Sequence, residues 1–255
     1  MMSKAKQFFK RELKETHILL RSIPAIVVTL FTLSVVMMNL AAQKTIVEIG
    51  SWFALDGGIM ISWLSFMCMD MITKHFGPKA ATKISILAIC INLMTCFIFW
   101  LVSIIPNPSA LAADKVLGGT WFILLSSTIA FLISAIINIF TNWMLGKAFK
   151  KNPNGKAAYI TRTYISTFIG QFLDNLIFAI PVFMIFAPIY WDGFSWTLTQ
   201  CITCSLTGAF AELIMEIVFS PFGYKICKKW ENEKVGKEYL DFIDNRINEV
   251  KAINE

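Results

Sequence analysis

Charge is what this sequence has least of. Only 16% of its 255 residues are Asp, Glu, Lys or Arg, where a soluble domain carries about 25%. With 56% hydrophobic residues and a mean hydropathy of +0.62, this excludes a disordered chain and argues against a water-soluble globule. Histidine is nearly missing. His17 and His75 are the two present, and neither stands in an HExxH pattern, so zinc-hydrolase chemistry is not expected. The sequence holds no Walker phosphate loop and no GxSxG nucleophile elbow. The chain is therefore not expected to hydrolyse ATP by itself, to be an enzyme, or to need a cofactor. Its six cysteines make no disulfide framework. Cys68, Cys90 and Cys96 fall inside apolar runs, and the Cys201-x2-Cys204 pair is weak evidence for metal or redox chemistry in an apolar helix.

Apolar runs are what the sequence has instead. Six of them, roughly 22–43, 52–73, 83–105, 120–146, 162–188 and 197–221, reach the ~20 residues a membrane helix needs. More than twenty residues precede the first run, and that run is span-length, so no cleavable signal peptide is expected. If both termini are cytosolic, 21 of the 23 Lys and Arg lie inside and only Lys44 and Lys115 outside, the positive-inside pattern. The expected fold is an all-α integral membrane protein with six transmembrane helices over residues 22–225. The net charge of +6 then reflects topology and attraction to anionic lipid, and no nucleic-acid partner is expected. Residues 1–21 carry Phe8, Phe9 and Leu13 among Lys and Arg, which suits a basic helix on the inner leaflet. Residues 226–255 include Val235, Tyr239, Phe242 and Ile247 at helical spacing, which suits an amphipathic tail on the bundle or a partner.

An acidic side chain at a helix centre costs about 2.5–3.5 kcal/mol in the membrane, so acids within the runs mark interior or interface. Five occur: Asp56, Asp70, Asp174, Glu212 and Glu216. Arg162 starts the fifth run, and Asp174 lies twelve residues on, about 18 Å along a helix and near the midplane. Gln171, Asp174, Asn175 and Phe178 share one helical face there. Gln171, Asp174, Asn175 and Glu212 are expected to converge at mid-membrane, with Asp70, Arg162 and Glu216 forming a charged ring at the cytosolic mouth. Asn92, Asn138 and Asn142 add amides in the third and fourth runs. The plainer alternative is that these groups only join helices. The small residues Ser126, Ser127, Ala130 and Ser134 would allow a homodimer face.

The second and sixth runs end alike. Asp70-x5-Phe76-Gly77-x-Lys79 matches Glu216-x5-Phe222-Gly223-x-Lys225, offset by 146 residues. Each would end its helix at Phe-Gly, since glycine allows the left-handed turn, with Lys at phosphate level. Both runs would point the same way through the membrane, which makes this a parallel repeat of the kind small transporters use.

Three segments carry a family likeness: Asn39-Leu-Ala-Ala-Gln-Lys44; Gly58 with Asp70-Met-Ile-Thr73-Lys-His-Phe76-Gly77; and Arg162-x3-Ser166-x4-Gln171-x2-Asp174-x3-Phe178. The sequence resembles the queuosine-precursor transporters within the wider vitamin uptake transporter group. It departs from them at Lys74, where a Glu usually follows the Thr, and in lacking a Pro near Trp63. The resemblance implies import of 7-deazaguanine bases such as queuine, preQ0 or preQ1 across the bacterial inner membrane. A guanine-like edge suits Asp174 or Glu212, its carbonyl suits Gln171, Asn175 or Asn92, and its face suits Trp63 or Phe178. Asp70, Arg162, Glu216 and Ser166 would gate or couple transport. Transport would be facilitated or proton-coupled. The alternatives are a substrate-binding component driven by energising subunits, as in energy-coupling-factor transporters, and a non-transporting membrane scaffold.

Overall fold

The computed structural model describes residues 4–105, 113–148 and 156–254. These form nine α-helices, one π-helical turn and one β-hairpin: α1 (Lys4–Ser22), α2 (Ala25–Ala41), β1 (Thr45–Ile49), β2 (Phe53–Asp56), α3 (Ile59–Phe76), α4 (Pro78–Ile104), α5 (Ala113–Ala148), α6 (Lys156–Ala179), the π turn (Ile180–Phe186), α7 (Ala187–Tyr190), α8 (Leu198–Asn232) and α9 (Lys237–Asn254). Among the described residues, three helical segments are long and apolar enough to cross a membrane: Pro78–Ile104, Tyr164–Tyr190 and Leu198–Phe219. A fourth is added if α1 and α2, bent by 104° to each other, count as one broken span. Length and apolarity in the structure thus support a helical membrane protein with three or four clear spans.

Two sequence expectations are corrected. The second apolar run does not begin as a helix. Residues 45–56 form the antiparallel pair β1–β2, and α3 starts only at Ile59. The Phe-Gly repeat also holds in one copy only. Gly77, at φ +88°, ends α3 as expected, because an L side chain rarely adopts that conformation. Gly223 lies inside α8, which runs on through Pro221 to Asn232, and a Cβ there would meet Met71 Cγ at 3.3 Å.

The chain divides into two compact units, Met1–Leu33 with Leu64–Ala88 and Phe219–Glu255, and Ser34–Trp63 with Ile89–Val218. In the first unit a charged cluster joins α1, the start of α4, and α9. Glu15, fully buried, takes Lys79 at 2.6 Å and the Arg246 guanidinium, and Glu12 takes Lys83 at 2.8 Å and Lys79 at 3.1 Å. Beside it, Phe76, Trp230 and Tyr239 pack at ring-centroid distances of 6.1 and 6.3 Å. The His75 Nε2–H donates to the Val235 carbonyl at 2.9 Å. Gly236, at φ +73°, admits the Phe76 ring where a Cβ would clash at 2.2 Å. Burial and the neighbouring Glu15 and Glu12 charges push the Tyr239 phenol up to about 12.

The second unit is built around an aromatic core. Phe183 stacks on Trp196 at 3.8 Å and Phe122 on Phe186 at 4.9 Å, with Ala54 of the hairpin and Cys201 and Cys204 of α8 buried among them. Pro181 sits in the π turn, where its missing N–H fits the widened hydrogen-bond pattern. Asn92 is 2% exposed and joins helices. Its Nδ2 donates to Leu124 O at 3.0 Å and Thr128 Oγ1 at 3.1 Å, and its Oδ1 accepts from Asn39 at 3.5 Å.

Candidate functional site

The polar face of α6 lies within the second unit. Gln171, Asp174, Asn175 and Phe178 fall at i, i+3, i+4 and i+7, which puts them on one side of a helix. Ser134 of α5 donates its hydroxyl to Asp174 Oδ1 at 2.8 Å. Asn175 presses its amide against Gly208 of α8, where an added Cβ would lie 2.8 Å from Nδ2. Glu212 follows Gly208 by one turn and is 5% exposed. Ser62 of α3 and Asn175 stand beside its carboxyl group. Four of the expected residues, Asp174, Asn175, Glu212 and the adjoining Phe178, are therefore gathered in one unit. Phe178 forms the border between this polar patch and the aromatic core, edge-on to Phe183 at 6.3 Å.

Gln171 is the anomaly. It is 6% exposed, and among the described residues neither its Oε1 nor its Nε2 has a hydrogen-bond partner. A buried amide left unsatisfied costs about 1–3 kcal/mol. Together the patch offers carboxylate acceptors, amide donors and acceptors, and a flanking ring. That is the complement of a planar heterocycle bearing both N–H and C=O groups.

Asp56, Ser62, Ser134 and Gly208 were not expected here. Asp56 arrives on β2, 9% exposed, with Oδ1 accepting from Gly58 N at 2.7 Å and Oδ2 from Cys204 Sγ at 3.6 Å. The Cys201-x2-Cys204 pair is therefore buried structure, free of disulfide. Ser126, Ala130 and Ser134 are buried within the chain and Ser127 is partly buried, and Ser134 serves Asp174. The sequence signal for the hairpin is the alternation Thr45-Ile-Val-Glu-Ile49 followed by Asp56-Gly57-Gly58. The hairpin is tied to the start of α8. Thr197 Oγ1 donates to Ser51 O and Thr203 Oγ1 to Trp52 O, both at 2.7 Å, and Gln200 Nε2 donates to Glu48 Oε1 at 3.0 Å.

Other expected residues lie elsewhere. Asp70 belongs to the first unit and is exposed, and Lys74, one turn on, sits 3.8 Å over the Tyr224 ring. Ser166 is 2% exposed on α6. Trp63 donates Nε1–H to Met60 O at 3.0 Å. The side chains of Arg162, Glu216, Asn138 and Asn142 lie outside the described residues. Among the described residues, no group of three or more His, Cys, Asp or Glu side chains is placed to hold a metal ion.

Residues 56–226 match the model of the family described as "putative vitamin uptake transporter". The matched stretch starts at Asp56 and includes every residue of the polar patch. No curated protein and no solved structure matches the chain.

Proposed function

The chain belongs to that vitamin uptake transporter family, and from this membership we propose that it imports 7-deazaguanine bases across a bacterial inner membrane. In this reading the six apolar runs all cross the bilayer and both termini are cytosolic. Cargo is held on the α6–α8 polar patch. The Watson–Crick edge of the base donates to Asp174 or Glu212, the Gln171 and Asn175 amides take its carbonyl and remaining N–H groups, and Phe178 covers its face. The observation that carries the reading is Gln171: a buried amide with neither end bonded among the described residues is completed by a ligand offering a donor and an acceptor. Transport is facilitated or proton-coupled, with Asp174 or Glu212 taking up the proton. Uptake into vesicles that continues unchanged after the proton gradient collapses would remove the coupling.

A thermal-shift screen of the purified protein tests the cargo. Queuine and its precursors are run beside common vitamins and natural purines. A ligand at 100 times its Kd adds about 2.7 kcal/mol of stability, a shift easily read. Stabilisation by a vitamin and not by any deazaguanine would replace the cargo and leave the family.

A further inference from the structure

Helix α1 ends before the residues that match the family and presents three distinct faces. Its inward face carries Glu15 and Leu19, both buried, and Ile23 just past its end is buried too. Glu12 and Glu15 are the only acids of α1, and both are spent on Lys79, Lys83 and Arg246. A second face exposes Phe9, Leu13 and Leu20, at i, i+4 and i+11 and so within a narrow stripe. Beside that stripe runs a row of exposed basic residues, Lys10, Lys14 and Arg21, with Lys6 and Arg11 close by. The outward side of α1 therefore combines an apolar stripe with positive charge and has no carboxylate.

The direction of α1 argues for what covers this side. After Pro24 the chain turns by 104° into α2, seventeen residues without a charged side chain. If α2 crosses a bilayer, a helix joined to it at nearly a right angle runs along the bilayer surface. An apolar stripe next to a basic row then meets acyl chains and phosphates at one depth. We propose that the outward face of α1 binds the anionic headgroup layer of the membrane as an in-plane helix, fastened to the protein through Glu12 and Glu15. This goes beyond the transport reading and does not depend on the cargo.

The test uses the full chain in nanodiscs, of phosphatidylcholine alone or with one-third phosphatidylglycerol, and reads amide hydrogen exchange over residues 4–22. Exchange in α1 is expected to be slower in the anionic discs, and the difference to shrink as salt rises. Changing Lys10, Arg11 and Arg21 to Gln should remove about fivefold of the protection for each charge. Phe9→Ser with Leu13→Ser should raise α1 exchange in both lipids. Equal exchange in the two lipids at low salt would overturn the proposal. So would protection that follows protein concentration, marking a second copy, or protection that appears only with an added soluble protein. Should the triple variant fail to fold, the salt series and Lys10→Gln alone decide the matter.

Discussion

Ser134 on α5 donates its hydroxyl to Asp174 on α6 at 2.8 Å, so the carboxylate at the centre of the polar patch is aimed from a neighbouring helix. Asp174→Ala is expected to abolish uptake while leaving membrane insertion intact. Ser134→Ala keeps the carboxylate but frees its orientation, and should weaken apparent affinity more than maximal rate. Hydrogen bonds to charged groups contribute about 1.5–3 kcal/mol, so a rise in KM of tenfold or more is expected. Uptake by purified protein in vesicles, with membrane yield as control, measures both. Normal uptake by Asp174→Ala would remove Asp174 from the site.

Gln171 should show a trade of stability against function. Its buried amide has no partner among the described residues, so an unbranched apolar side chain of similar length relieves an unmet cost. Gln171→Met is expected to stabilise the ligand-free protein by about 1 kcal/mol and to lose ligand-induced stabilisation. Melting curves with and without ligand separate the two effects. A variant that melts lower and still binds would mark Gln171 as structural.

Gly208 leaves room for the Asn175 amide, since a Cβ would lie 2.8 Å from Asn175 Nδ2 and an ordinary 3.6 Å from Ile59 Cδ1. The obstructed atom is the end of a side chain, so Gly208→Ala should fold, with Asn175 turned away from Glu212. In uptake assays this variant should behave like Asn175→Ala, and combining the two changes should cost little more than either alone. Additive losses would separate the two residues.

The polar face of α6 is legible in the sequence because i, i+3, i+4 and i+7 is a local rule. Gln171, Asp174, Asn175 and Phe178 need no tertiary knowledge to be placed together. Ser134 could not be assigned that way. A serine on an apolar helix reads as a small packing residue until its neighbour across the helix pair is known. The hairpin was hidden for another reason. Window hydropathy over residues 45–64 is dominated by Ile, Val, Trp and Leu, and it overrides the period-two pattern and the two glycines that mark β1 and β2. The cluster of Glu12 and Glu15 with Lys79, Lys83 and Arg246 joins residues up to 231 positions apart, a distance no local pattern spans. The Phe-Gly repeat failed because a glycine can serve close packing, as Gly223 does against Met71, as readily as it ends a helix.

The hairpin rests on side-chain bonds from α8. Thr203 gives its hydroxyl to the Trp52 carbonyl at 2.7 Å and Thr197 gives its own to Ser51 O. Thr203→Val keeps the shape and deletes the donor. Amides of residues 45–56 are then expected to exchange faster, with those of α6 unchanged. Because β2 ends in Asp56, in the same unit as the polar patch, ligand should restore part of the lost protection in the variant if the hairpin closes over occupied protein. Equal exchange in variant and parent would show that the latch carries no stability.

The charged cluster of the first unit sets an acid limit on stability. A hydrogen bond from Lys83, aided by Lys79 and the charges of both, holds the Glu12 carboxyl down to about 2 from an ordinary 4.5, against the opposing effect of burial. A carboxyl whose folded pKa is depressed adds stability fully above its unfolded value and loses it as pH falls through the folded one. The Glu12 contribution is thus intact above about pH 5 and fades between about 4.5 and 2. Other carboxylates titrate in the same window, so the informative quantity is a difference. Lys83→Met removes the leading donor, and its melting temperature should lie below that of the parent at pH 6 and approach it as pH falls toward 3. The gap should also narrow in high salt, because Glu12 is partly exposed and its partners are screened. A gap that stays constant from pH 6 to pH 3 would assign the effect of Lys83 to packing of its aliphatic stem and not to its charge.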